Sequence, residues 1–179
     1  MSRRTAAVWT AGLVMLLGTA ACGQSQSHTT AQSRVPACGT PQLSWRMTVL
    51  PGTPHNTPTA TLSAAHKGAK PCAFDGYPEL HVYVGKGPSA DSRPKRSAPV
   101  HLVLEPGHSV EIPVFYDAVG SPSGSCEVMA EYDPRVDVRP PNPAAHDYGS
   151  RVRLTDAQGH RRRAQVCDLH MLLGAPRLH

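Results

Sequence analysis

Lys70-Pro71-Cys72-Ala73-Phe74-Asp75-Gly76-Tyr77-Pro78 sets a cysteine directly after a proline and closes on a Gly-Tyr-Pro turn. A cysteine on the rim of a strand and an aromatic beside a turn are fixing points of a disulfide-stapled β-sandwich. The composition around this stretch agrees. The 179 residues include 18 prolines and 15 glycines, and only 17% are charged, which favours many turns and short strands over a helical bundle. One folded domain is expected beyond the N-terminal segment.

Upstream, Leu43, Trp45, Met47 and Val49 share one face of residues 43–50, the period-2 signature of a half-buried strand. Residues 59–65 read as its return strand. In such a hairpin, partner numbers sum to about 108, counted from the turn. Cys38 and Cys72 fall within about two of that sum, so the register brings them together at the open end. This predicts a Cys38–Cys72 disulfide and leaves Cys126–Cys167 by exclusion. Each bridge contributes about 4 kcal/mol on the chain-entropy model.

Downstream, Leu80, Val82 and Val84 alternate with His81 and Tyr83 and predict another strand. Residues 85–99 read as a long loop carrying Lys86, Arg93, Lys95 and Arg96. Strands are expected at 100–104 and 109–116, joined across Glu105-Pro106-Gly107-His108, where Pro-Gly suits the centre of a type II turn. Residues 128–132 and 135–139 form one broken strand or two short ones, and Pro140-Pro141-Asn142-Pro143 stops pairing. Segments 151–154 and 169–173 bring the expected total to about eight strands, an Ig-like antiparallel β-sandwich spanning 37–179.

The N-terminus is an address. Arg3 and Arg4 precede an apolar run, Ala6 to Leu17, and Thr19-Ala20-Ala21 supplies small residues before Cys22. The run is too short for a mature transmembrane helix and fits a signal peptide over 1–21. Cys22 stands where a bacterial lipobox places its lipidated cysteine, and it is the odd one of five. Residues 22–36, rich in Gln, Ser and Thr, predict a disordered tether with a reach of about 20 Å. Removing Arg3 and Arg4 lowers the formal charge from +5 to +3, which supports no nucleic-acid partner. The protein is expected as a monomer on the outer face of the cell membrane.

These features together resemble a domain of unknown function shared by actinobacterial secreted proteins and lipoproteins. The resemblance is carried by Cys38, Pro71-Cys72 through Gly76-Tyr77-Pro78, Leu104-Glu105-Pro106-Gly107, Cys126 with Pro140-Pro141, and Cys167. The chain differs from the pattern at Ala65-His66-Lys67-Gly68 and in the distance from Cys126 to Pro140. The resemblance implies a β-sandwich at the cell envelope and no activity.

Catalytic chemistry finds little support. Gly120-Ser121-Pro122-Ser123-Gly124 puts proline where a nucleophile elbow needs serine. Ten histidines and the soft ligands Met47, Met129 and Met171 allow a copper-binding or enzymatic alternative, but only Asp168 and His170 fall two apart on an expected strand. No cofactor is expected. Two basic groups remain, Arg93, Lys95 and Arg96 in the long loop and Arg161, Arg162 and Arg163 after Gly159-His160. They suggest contact with anionic lipid or wall polymer. The expected function is therefore a lipid-anchored, non-catalytic binding or structural module.

Overall fold

The computed structural model describes residues 35–51, 57–82, 90–118, 126–128, 135–167 and 169–179. The signal peptide, Cys22 and the tether before residue 35 lie outside the described residues. A 3-10 turn at Thr40–Gln42 leads into β1 (Leu43–Val49), followed by β2 (Ala60–His66), β3 (Cys72–Phe74) and β4 (Glu79–Val82). Next come β5 (Ala90–Pro94), β6 (Leu102–Leu104), β7 (Ser109–Phe115) and β8 (Glu127–Val128). The chain continues through β9 (Arg135–Arg139), β10 (Ser150–Thr155), β11 (Gln165–Val166), β12 (His170–Leu173) and β13 (Arg177–Leu178).

The main sheet runs β12-β5-β4-β9-β10-β1-β2-β7, and β12 pairs again with β7, so eight strands close into a mixed barrel. The expected Ig-like antiparallel sandwich is thus overturned. A sandwich leaves free sheet edges. Here Leu172 faces Arg93 on one side and Phe115 on the other, which leaves none at β12. Two of the pairings, β1 with β10 and β5 with β12, are parallel. Following partners once round returns to β10 with a shear of about eight residues, a geometry whose interior side chains fill. The remaining strand, β13, continues the line of β12 along β7 after the break at Gly174-Ala175-Pro176.

All eight strands feed the interior. Met47, Leu62, Leu80, Ala90, Ile112, Val136, Leu154 and Met171 are fully buried, one from each strand. Each large apolar side chain removed from water contributes about 1.5–3 kcal/mol. The β1–β2 hairpin runs from Leu43↔His66 to Val49↔Ala60, one step from the expected register. Parity explains the step. Inward residues are odd-numbered on β1 and even-numbered on β2, so only an odd sum puts both sets inside.

Both disulfides form with the expected partners, Cys38–Cys72 and Cys126–Cys167. The first does not continue the β1–β2 hairpin. Cys72 lies on β3, which pairs with β6 as a separate ribbon, while Cys38 donates its N–H to Ala73 O at 2.9 Å. The ribbon packs Cys72, Phe74 and Leu104 into the core at the end where β1 begins, with Phe74 against Trp45. The second ribbon, β8 with β11, holds Cys167 at the opposite end, where Cys167 N–H bonds Asp117 O beyond β7.

Other expectations are refined. Pro106-Gly107 makes the expected turn, with Gly107 at φ 82° and His108 N–H on Glu105 O at 3.0 Å. The expected strand at 100–104 shortens to β6. Within the expected loop 85–99, residues 90–94 are a barrel strand, and 83–89 lie outside the described residues.

Candidate functional site

The two basic groups read from the sequence follow strands separated by three antiparallel steps, β5 to β4 to β9 to β10. Those strands run in opposite directions, so the two groups leave the barrel at opposite ends and form no common site. Arg93 sits on the outer wall beside Leu172. Lys95 donates its N–H to Leu173 O, and its Nζ stands 3.7 Å from the centroid of the Phe115 ring, a cation–π contact. The Arg96 carbonyl accepts a bond from Tyr77 Oη at 3.2 Å, which fixes this segment against the opening Gly-Tyr-Pro turn.

Arg161 bridges Thr155, returning the chain antiparallel to the end of β10. Arg162 donates Nε to Asp156 Oδ2 at 3.2 Å. Partial burial works against the charge of Asp156. Hydrogen bonds from His160 and the positive charge of Arg162 outweigh it and hold the carboxyl below its usual range. Arg162 is thus engaged in its own turn, and Arg163 is exposed beside it.

Met47 and Met171 are core residues, and Met129 and Asp168 lie outside the described residues. Among the described residues, no three His, Cys, Asp or Glu side chains converge as a metal set. Between neighbouring strands on the outer wall, however, His170 contacts Asp91 through Nδ1 and Oδ1. Strand partners extend this pair into an outward row, His170–Asp91–His81–Asp137–Arg151, and Arg151 Nε lies 3.3 Å from Asp137 Oδ1.

A second outward row opens on three arginines and continues through Ser63 to Glu111. Arg153 faces Arg135 across β10 and β9. The parallel register Met47↔Leu154, carried back one residue, sets Arg46 beside Arg153. Met47, Leu154 and Val136 point inward, so these three arginines point outward. Linear reading missed them because they come from three distant segments. The available signal was the outward set in Arg135-Val136-Asp137-Val138-Arg139 and Arg151-Val152-Arg153-Leu154, where four of the five polar positions are arginine.

Residues 38–168 match the family model described as Domain of unknown function (DUF4232). The chain belongs to the DUF4232 family. The matched span opens on Cys38 and closes one residue after Cys167, so both stapled ribbons lie within the DUF4232 domain. No curated protein and no solved structure matches the chain.

Proposed function

We propose that this DUF4232 protein is a non-catalytic binding module of the actinobacterial cell envelope, exported and held at the outer membrane face by a lipid on Cys22. Its outer wall would contact anionic envelope material. The observation that carries this reading is the division of the barrel into a filled apolar interior and an arginine-bearing exterior. Surface cations attract anionic partners at a range set by salt. Two disulfides suit the oxidising compartment that export reaches. The sequence supports the anchor through Ala21-Cys22 after the apolar run.

Two measurements test the reading. Cys22→Ser should move the protein out of the membrane fraction or leave it unprocessed, and unchanged fractionation removes the anchor. The full chain should associate with anionic envelope material at low salt and release at high salt. Salt-insensitive association would remove the electrostatic part.

A further inference from the structure

The loop between β9 and β10, residues 140–149, is braced at both ends. Near its start, Asn142 takes φ 50° and donates Nδ2–H to Asp75 O at 2.8 Å. Near its close, the Asp147 carboxylate accepts bonds from Thr40 N–H at 2.9 Å and Gly149 N–H at 3.0 Å. The main chain of Asp147 is fixed as well, its N–H on Ala144 O at 2.9 Å and its O accepting Arg139 Nε–H at 3.2 Å. Next to this residue stands Tyr148, 87% exposed, the most exposed large apolar side chain among the described residues. A ring left in water contributes little burial to the fold, whereas binding groups are carried on loops that a rigid scaffold positions.

We propose that Tyr148, carried with Ala144 and Ala145 on this braced loop, seats the domain on the headgroup layer of a lipid bilayer. This rests on the lipid-anchor reading above and names the surface that the anchored domain turns to its membrane. β1 and β10 are parallel neighbours, so the chain enters β1 at the same end of the barrel as this loop enters β10. The bond from Thr40 to Asp147 joins the two approaches directly. Val35 lies at the start of the approach to β1, and Cys22 stands thirteen positions before it. Thirteen positions span at most about 45 Å, so a lipid there keeps this end near the bilayer. The exposed side chains suit the headgroup layer. Tyrosine presents an apolar ring with a polar tip, the form enriched at membrane–water interfaces. Ala144 and Ala145 are exposed on the same loop and carry no polar group. The Asn142 amide N–H and the Asp147 carboxylate, natural partners for a sugar beside the ring, already bond within the fold.

The test takes the full chain as exported by its cell and reconstitutes it in phosphatidylcholine vesicles, with and without bromine on the acyl chains near the headgroup. Tyr148→Trp reports from the loop, and Gln158→Trp reports from the exposed turn after β10, at the opposite end of the barrel. Wild type supplies the background of Trp45, which packs against Phe74. Tyr148→Trp should lose emission to brominated lipid and shift to shorter wavelength, at low and high sodium chloride alike, while Gln158→Trp keeps its emission. Ala145→Trp on the same loop should do as Tyr148→Trp does, and it serves if that variant folds poorly. Equal emission from brominated and plain vesicles for both loop variants overturns the inference and leaves the anchor standing. A spectral shift of the loop variants with soluble wall-glycan fragments, without quenching by lipid, assigns the loop to glycan and overturns it too. Failure of wild type to float with the vesicles removes the anchor and this inference with it.

Discussion

Replacing Asp147 with alanine should cost the domain about 2–3 kcal/mol at neutral pH. Its carboxylate accepts bonds from Thr40 N–H at 2.9 Å and from Gly149 N–H at 3.0 Å, tying the turn before β1 to the entry of β10. Hydrogen bonds to a charged group contribute about 1.5 kcal/mol or more each, and partial exposure trims their sum. In a domain of this size, about 1 kcal/mol corresponds to about 2–5 °C in melting temperature, so the variant should melt about 5–12 °C lower. Desolvation opposes the Asp147 charge, but hydrogen bonds from Thr40 and Gly149 and the Arg139 charge outweigh it and hold the carboxyl below its usual range. A carboxyl lowered in the folded state contributes stability that is present above its unfolded value and lost as pH falls through the folded one. The gap between wild type and variant should therefore be full at neutral pH and should narrow below about pH 4. Circular dichroism melts across this range measure it. Equal melting at neutral pH, or a gap equally wide in acid, refutes the reasoning.

Gly149→Ala should destabilise by about 3 kcal/mol or more, read from urea unfolding, because a non-glycine residue is strained there and meets backbone. Gly149 has φ 77°, and an added Cβ would stand 2.4 Å from Val138 O. Burial pushes the Tyr116 hydroxyl up to about 12, so its contribution is complete below the unfolded value near 10 and is lost as pH rises toward 12. Tyr116→Phe should flatten that alkaline decline in stability, and an unchanged decline assigns it to another group. Cys38→Ser with Cys72→Ser should lower stability by about 4 kcal/mol, measured by denaturant midpoints under non-reducing conditions.

The β1–β2 hairpin and the turn at Pro106-Gly107 were readable because each is local. The Cys38–Cys72 pairing came from a hairpin register that the bridge does not use, and Cys126–Cys167 followed by exclusion. Closure was not readable. A sandwich and a filled barrel both bury alternate residues, so the period-2 pattern cannot separate them. The parallel pairings β1–β10 and β5–β12 join segments far apart in sequence and leave no local mark. In β5, Ala90-Asp91-Ser92-Arg93-Pro94 has no large apolar residue and ends in proline, so propensity reads it as loop. Its strand character comes from the neighbours on each side. The arginine row was hidden for the same reason. Clusters such as Arg161-Arg162-Arg163 catch the eye in a linear reading, but Arg162 is engaged with Asp156 in its own turn. Arg46, Arg135 and Arg153 become neighbours only through register.

The closed wall is what fills the interior and turns the arginines outward, so closure is the claim to test most directly. Proton NMR of the folded domain should give interstrand nuclear Overhauser effects between the backbones of Leu172 and Phe115 and between Leu173 and Val114, the pairs that seal β12 to β7. It should also give those of the parallel pair Met47 and Leu154. Finding the Met47–Leu154 contacts without any between β12 and β7 would leave an open sheet and contradict the barrel.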